Sequence, residues 1–425
     1  LNTGYLIIKE AIKNMKHQSN SAVLEKQLLN DYQVGDFFFA SPKRTLLGRG
    51  SFAVIPSDPK KENQLECLAE RVLAALENAK EHGYNNPVVV GAVPFDYKKN
   101  VQLIVPETMK LSTPSQFDSF NPLQSSMAST YQIKSVPEPA QYKEGVGKGI
   151  HYIKNGHLSK IVLSRSLHLT SSTTVNIHQL LHNLAQHNTL GYTFAVDLPK
   201  NISDKSGLNV SFSTGRTLIG ASPELLVTKT GLQLMANPLA GSRPRSEDPG
   251  EDQRLAAELL SSTKDLHEHK VVVSAVAAAL RPYCLTLDVP EEPSLMHTET
   301  MWHLSTVIKG EIASPSTSSL ELAIALHPTP AVCGAPTELA REAIREIEPF
   351  DRGFFAGMVG WCDANGDGEW AVTIRCAEVE ARSLRLFAGA GVVAESTPEE
   401  ELAETSAKFR TMLFAMGLSK DVIYK

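Results

Sequence analysis

Cysteine is scarce: Cys67, Cys284, Cys333, Cys362 and Cys376 are five among 425 residues, an odd number without CxxC spacing. That usage excludes a disulfide framework and fits buried small hydrophobes in a reducing cytoplasm. No apolar run approaches the ~18 residues a membrane-spanning helix needs. The patch Leu6-Ile7-Ile8 is cut at once by Lys9 and Glu10, so it does not read as a signal-peptide core. Positive charge is short as well. With a net charge of -6 and no basic block or stripe with interleaved aromatics, neither nucleic acid nor a membrane is expected as a partner. Repeats at solenoid periods are missing too.

What the chain does have is 42% hydrophobic content, enough for a sizeable core. Residues 1–30 are polar and turn-rich, and read as a poorly ordered or helical lead-in. Length alone allows one large domain or two to three; residues 31–425 divide into an N-terminal part over 31–110, a Ser/Pro-rich loop over 111–141 and a denser part over 142–417. Strands are predicted at "VVVGAVPFD", "KIVLSRSLHL", "TFAVDL", "LNVSFSTG", "ELLVTKTGLQLMANPLAG", "FFAGMVGWCD", "WAVTIRCAEVE" and "LRLFAGAGVV". Helices are predicted over 64–79, 175–187, 250–260, 264–282, 336–347 and 398–416. Long strands mixed with peripheral helices predict an α+β fold.

Chemistry concentrates in a few segments. In "LFAGAGVVAESTPEEELAETSAK", Thr397-Pro398-Glu399-Glu400 has the form of a capping box that opens a helix. That helix places Glu401, Glu404 and Lys408 on one face. On spacing alone a solvated helix with Glu–Lys support is the better reading, although Gly389 and Gly391 would let backbone approach an anion. In "SSTKDLHEHKVVV", Thr263 can cap a helix, and His267, Glu268 and His269 point about 100° apart, so they cannot share one ion. Glu268 could join a distant carboxylate around a hard cation, or simply face solvent. "DANGDGEW" opens like an EF-hand, but Ile374 stands where the bidentate glutamate is required, so it reads as a hairpin turn. Alternation along the next strand sets Thr373 and Arg375 opposite Ile374, where Arg375 could clamp a carboxylate. Lys160 begins an apolar strand, where desolvation favours a neutral amine. Glu224, between Pro223 and Leu225, sits where an apolar setting would keep a carboxyl protonated. For each, a bland placement at a strand end or turn is individually the commoner case.

Together these segments resemble the chorismate-utilising enzymes, which include isochorismate, salicylate, anthranilate and aminodeoxychorismate synthases. The resemblance runs in order through "KIVLSR", "LIGASPELL", "PLAGSRPR", "KDLHEHKVVV", "MWHLST", "LHPTPAVCGAP", "FDRGFFAGMVGWCDANGDGEWAVTIRCA" and "LFAGAGVVAESTPEEELAET", over roughly residues 140 to 417. It implies one large chorismate-binding fold like that of anthranilate synthase component I, with antiparallel sheets face to face and helices outside. It further implies Lys160 as the base that activates water against C2 of chorismate, and Glu224 as the acid that protonates the departing C4 hydroxyl. Glu268 and Glu404, with Glu401 nearby, match the Mg2+ ligands. Arg375, Gly389 and Lys408 match carboxylate-binding positions. Gly241 and Ser242 match a turn lining the substrate, and His303 and Thr329 lie near the site.

Within the family, Lys160 argues against the anthranilate branch, and Ala240 of "NPLAG" against aminodeoxychorismate synthases, which carry a lysine there. The resemblance points to a cytoplasmic, monomeric, Mg2+-dependent isochorismate synthase of the catechol-siderophore (2,3-dihydroxybenzoate) type, without a glutaminase subunit. The alternative is a salicylate synthase, a lyase releasing pyruvate; those enzymes commonly carry Tyr where this chain has Phe355.

Overall fold

The computed structural model describes residues 27–112, 130–198 and 215–418. Every strand pairing in it is antiparallel. A ten-stranded sheet has the long strand Lys160–Ser171 beside Ser383–Val392, then Cys376–Glu380, Arg216–Ser222, Tyr192–Leu198 and Phe37–Ala40 in order. A nine-stranded sheet runs through Gln233–Asn237, Leu225–Thr230, Gly368–Val372, Met358–Asp363 and Val88–Val93. A small third sheet joins Leu239–Pro244, Met301–Ser305 and Ser294–His297. This is the expected α+β architecture of sheets packed face to face.

Two apolar cores follow from strands buried on both faces. "FFFA" shows why an unbroken apolar run suits such a strand. Phe37 and Phe39 point into the core shared with Val90, Val227 and Trp370 of the other large sheet. Phe38 points the other way, toward Leu180 and Leu184 of the helix Ile177–His187 and Phe409 and Leu413 of the helix Pro398–Ala415. Each such side chain contributes about 1.5–3 kcal/mol on burial, so the scaffold holds its loops and crossovers firmly.

Two of the chain's passages between the large sheets lie side by side. Arg216–Ser222 lies in the ten-stranded sheet and Leu225–Thr230 in the nine-stranded one, with Pro223 and Glu224 between them. Gly368–Val372 and Cys376–Glu380 make the reverse passage through Thr373, Ile374 and Arg375. The two passages are tied together: Val372 N donates to Glu224 O (3.1 Å) and Ala221 N to Arg375 O (3.0 Å). Hence "WAVTIRCAEVE" is not one strand, and the alternation expected at Arg375 does not apply. The break sits where Arg375 takes a left-handed φ of 51°, a conformation that costs a non-glycine residue and ends a strand.

Other expectations shift as well. The loop expected over 111–141 holds a strand, Tyr131–Val136, on the edge of the long strand, and a helix that begins at Pro139. The helix expected from residue 64 begins at Leu68, and Ser262 rather than Thr263 caps Thr263–Leu280 by accepting from Asp265 N. Residues 1–26 and nearly all of "LNVSFSTG" lie outside the described residues. No helix among the described residues is long and apolar enough to cross a membrane.

Candidate active site

The two crossovers open into a cavity of about 660 Å3 of atom-free space between the sheets and the small third sheet. Its walls include Glu224 and Arg375 from the crossovers, Leu239 to Ser242, Glu268, His303, Phe355, Phe387, Gly389, Gly391, Glu404 and Lys408. Phe355 and Phe387 stack with centroids 5.0 Å apart and give the cavity a flat apolar side.

Glu224 is buried, and burial pushes its carboxyl up to about 7, against the Leu239 N–H, Lys160, Lys408 and Arg375. The Leu239 N–H donates to Glu224 Oε1 at 3.4 Å. Arg375 is buried too; burial lowers it to about 10, so it stays charged at neutral pH. Its Nη2 donates to His303 Nε2 at 3.2 Å, whereas Nη1 is buried without a hydrogen-bond partner. Burial first, then the Arg375 and Lys408 charges, hold His303 well below its usual range. His303 is therefore a neutral acceptor that aims the guanidinium, and the orphan Nη1 is a donor awaiting an anion.

Opposite lies a row of lysine–carboxylate pairs. Lys160, fully buried, puts Nζ 2.9 Å from Glu268 Oε1. Lys408 Nζ is 2.6 Å from Glu404 Oε1 and donates to Gly389 O at 2.8 Å. Lys264 Nζ is 3.0 Å from Glu401 Oε1 and 3.6 Å from Glu400 Oε2. Burial, then the Glu404 charge, raises Glu401 to about 7. Burial pushes Glu404 upward most strongly, but Lys408, the Ser242 hydroxyl and Lys264 together outweigh it and the net shift is down. Gly391 is what lets this row close up: a Cβ there would collide with Glu268 Oε1 and lie 3.0 Å from Lys160 Cε. Gly241, at φ +77°, is held where a Cβ would lie 3.0 Å from Asp265 Cβ, on the helix that carries Glu268.

Comparison with known proteins fits this geometry. Residues 99–417 match the family model described as chorismate binding enzyme. Isochorismate synthase DhbC of Bacillus subtilis is 62% identical over 92% of this chain and 96% of its own length. The vibriobactin-specific isochorismate synthase of Vibrio cholerae is 45% identical over 91% of this chain and 93% of its own length. The crystal structure of DhbC from Bacillus anthracis superposes with a TM-score of 0.85 at 59% identity, covering 93% of this chain and all (100%) of that one. This chain belongs to the chorismate binding enzymes.

Among the residues expected at a chorismate-binding site, Glu224, Gly241, Ser242, Glu268, His303, Arg375, Gly389, Glu404 and Lys408 line one cavity. Three do not line it. Lys160 lies behind Glu268, reached past Gly391. Glu401 is 1% exposed and faces Lys264. Thr329 is buried with an unpartnered hydroxyl, while Ala331 and Val332 from its own turn form the wall.

Pattern reading missed two residues of this site. Lys264 pairs with Glu401. His269, held to about 4 chiefly by burial, is neutral; its Nδ1 lies 3.1 Å from Ala240 O and its Nε2 2.8 Å from Thr306 Oγ1. A carbonyl can only accept, so Nδ1–H donates and locks the cavity-lining turn to the helix. "HEH" held that signal, but its partners lie in distant segments.

Among the described residues no group of three or more His, Cys, Asp and Glu side chains converges as a metal cage. The donors nonetheless fit a hard cation. Glu268 and Glu404 enter one cavity from two helices, and Mg2+ characteristically takes one or two carboxylates plus waters and an anionic substrate.

Proposed function

We propose that this chain is a Mg2+-dependent isochorismate synthase, an isomerase that converts chorismate to isochorismate for 2,3-dihydroxybenzoate and siderophore biosynthesis. Its relatives named isochorismate synthase share most of the chain. The observation that carries the chemistry is Glu224, a carboxyl kept protonated up to about 7 in the wall of a cavity that also presents Arg375 and Lys408.

Chorismate is a dianion. Arg375 would take one carboxylate through its orphan Nη1, aimed by His303, and Lys408, positioned by donating to the Gly389 carbonyl, would take the other. Gly241 and Ser242 would bound the ring on the turn that His269 fixes. Glu268 and Glu404, with Glu401 behind them, would hold Mg2+, which when bound neutralises the ring carboxylate and offsets its desolvation. Lys160 would take a proton from water as its oxygen bonds to C2. Both ring double bonds shift, from C1=C2 and C5=C6 to C1=C6 and C4=C5, the C4–O bond breaks, and Glu224 protonates the departing hydroxyl to water. One water enters and one leaves, so the reaction is an isomerisation. Because the nucleophile is water rather than ammonia, no glutaminase partner would be needed.

The test is direct. Purified protein incubated with chorismate and Mg2+ should accumulate isochorismate. Salicylate with stoichiometric pyruvate, or no turnover, would overturn the reading.

A further inference from the structure

Of the three lysines that face the glutamates, Lys264 alone has no task in the proposed chemistry. It opens the helix Thr263–Leu280, which carries Glu268; Glu400 and Glu401 open the helix Pro398–Ala415, which carries Glu404. The pair therefore ties together the first turns of the two helices that bear the cation's carboxylates. Glu401 is 1% exposed, and a carboxylate so buried is costly without a partner. Glu400, the next residue, is 64% exposed, and its Oε2 stands 3.6 Å from the same ammonium. It does not complete its half of the capping box: Thr397 accepts from Glu400 N, but no reciprocal bond forms. Lys264 thus has one buried partner and one exposed partner within a short swing of its stem.

We infer that Lys264 is an exchangeable counter-ion: it neutralises Glu401 in the metal-free protein and passes to Glu400 when a divalent cation binds, and so holds cation affinity down. The inference rests on reading Glu268, Glu401 and Glu404 as the cation's ligands. A flexible stem with a compact, readily rehydrated charge suits the exchange, as an arginine fork would not. The ammonium and an incoming dication compete for the same carboxylate and repel each other, so the site binds its ion reversibly.

Calorimetric titration of Mg2+ into the metal-free full chain tests this at fixed pH and ionic strength. Lys264→Met should tighten the Mg2+ Kd roughly tenfold or more, because one repelling charge is gone. Glu400→Gln should loosen it several-fold, and the double variant should match Lys264→Met. Without Mg2+ the Lys264→Met protein should melt below wild type, and saturating Mg2+ should close that gap. If Lys264→Met fails to fold, Lys264→Gln repeats the measurement with a polar end and no charge. Wild type that binds Mg2+ beside a charge-free variant that binds no tighter overturns this inference alone. Wild type that takes up no Mg2+ overturns the cation reading and this inference with it.

Discussion

Glu224 works at a cost to the fold. Burial raises its carboxyl from 4.5 to about 7, so the native state keeps a proton that the unfolded chain releases across that range. Its contribution to stability is full below 4.5 and is lost as pH rises through 7. Glu224→Gln should therefore abolish turnover yet melt above wild type at alkaline pH, with the gap closing near the carboxyl's ordinary range. Scanning calorimetry across pH reads this, and an equal gap at all pH values would assign the effect to packing. As the proposed acid, Glu224 must be protonated to act, so kcat of the wild type should fall as pH rises past about 7. Lys160 is assigned the opposite role. Lys160→Ala should lower kcat by on the order of 10²–10⁴ while substrate Kd, read by fluorescence or calorimetry, changes only a few-fold. Retained turnover would move the base to another residue.

At the level of elements, the site exists because two strand pairs change sheets together and because glycine keeps one strand bare. Gly391→Ala places a Cβ against Glu268 Oε1 and Lys160 Cε, both ends of flexible side chains. The fold should survive with unchanged circular dichroism, while kcat drops roughly a hundredfold through misplacement of the base. Wild-type kcat in that variant would mean the Lys160–Glu268 geometry is not used. Much of this scaffold was legible. Thr397-Pro398 announced a helix, and Thr397 does accept from Glu400 N; apolar runs such as "KIVLSRSLHL" announced strands, and that one proves buried along most of its length. The break at Arg375 was not legible, because "WAVTIRCAEVE" alternates without a glycine or proline and only the backbone turn of 51° ends the strand. Nor was Tyr131–Val136, a half-exposed edge strand whose partner lies a helix away in sequence. Spacing left Lys160, Glu268 and Glu404 open to bland readings, since each finds its meaning in contacts that no local pattern encodes. Their proposed roles come from ordered motifs resembling a family; the fold brings Glu268 and Glu404 into one cavity and sets Lys160 behind Glu268.

For the whole molecule, the question is whether a bound cation is needed for folding or only for catalysis. Both apolar cores are built from strand and helix faces, and Glu268, Glu401 and Glu404 belong to neither. Each of those glutamates already has a lysine, so removing an ion does not strand a buried charge, the circumstance that makes a missing partner strongly destabilising. Chelation should consequently abolish turnover and leave far-ultraviolet circular dichroism unchanged, with activity restored by added Mg2+. The thermal cost is set by linkage: at free Mg2+ of tenfold Kd, binding contributes about 1.4 kcal/mol, or a Tm shift of only a few degrees for a domain of this size. A much larger drop on chelation, or loss of the circular dichroism signal, would make the cation a structural element and the three lysines insufficient as its substitutes.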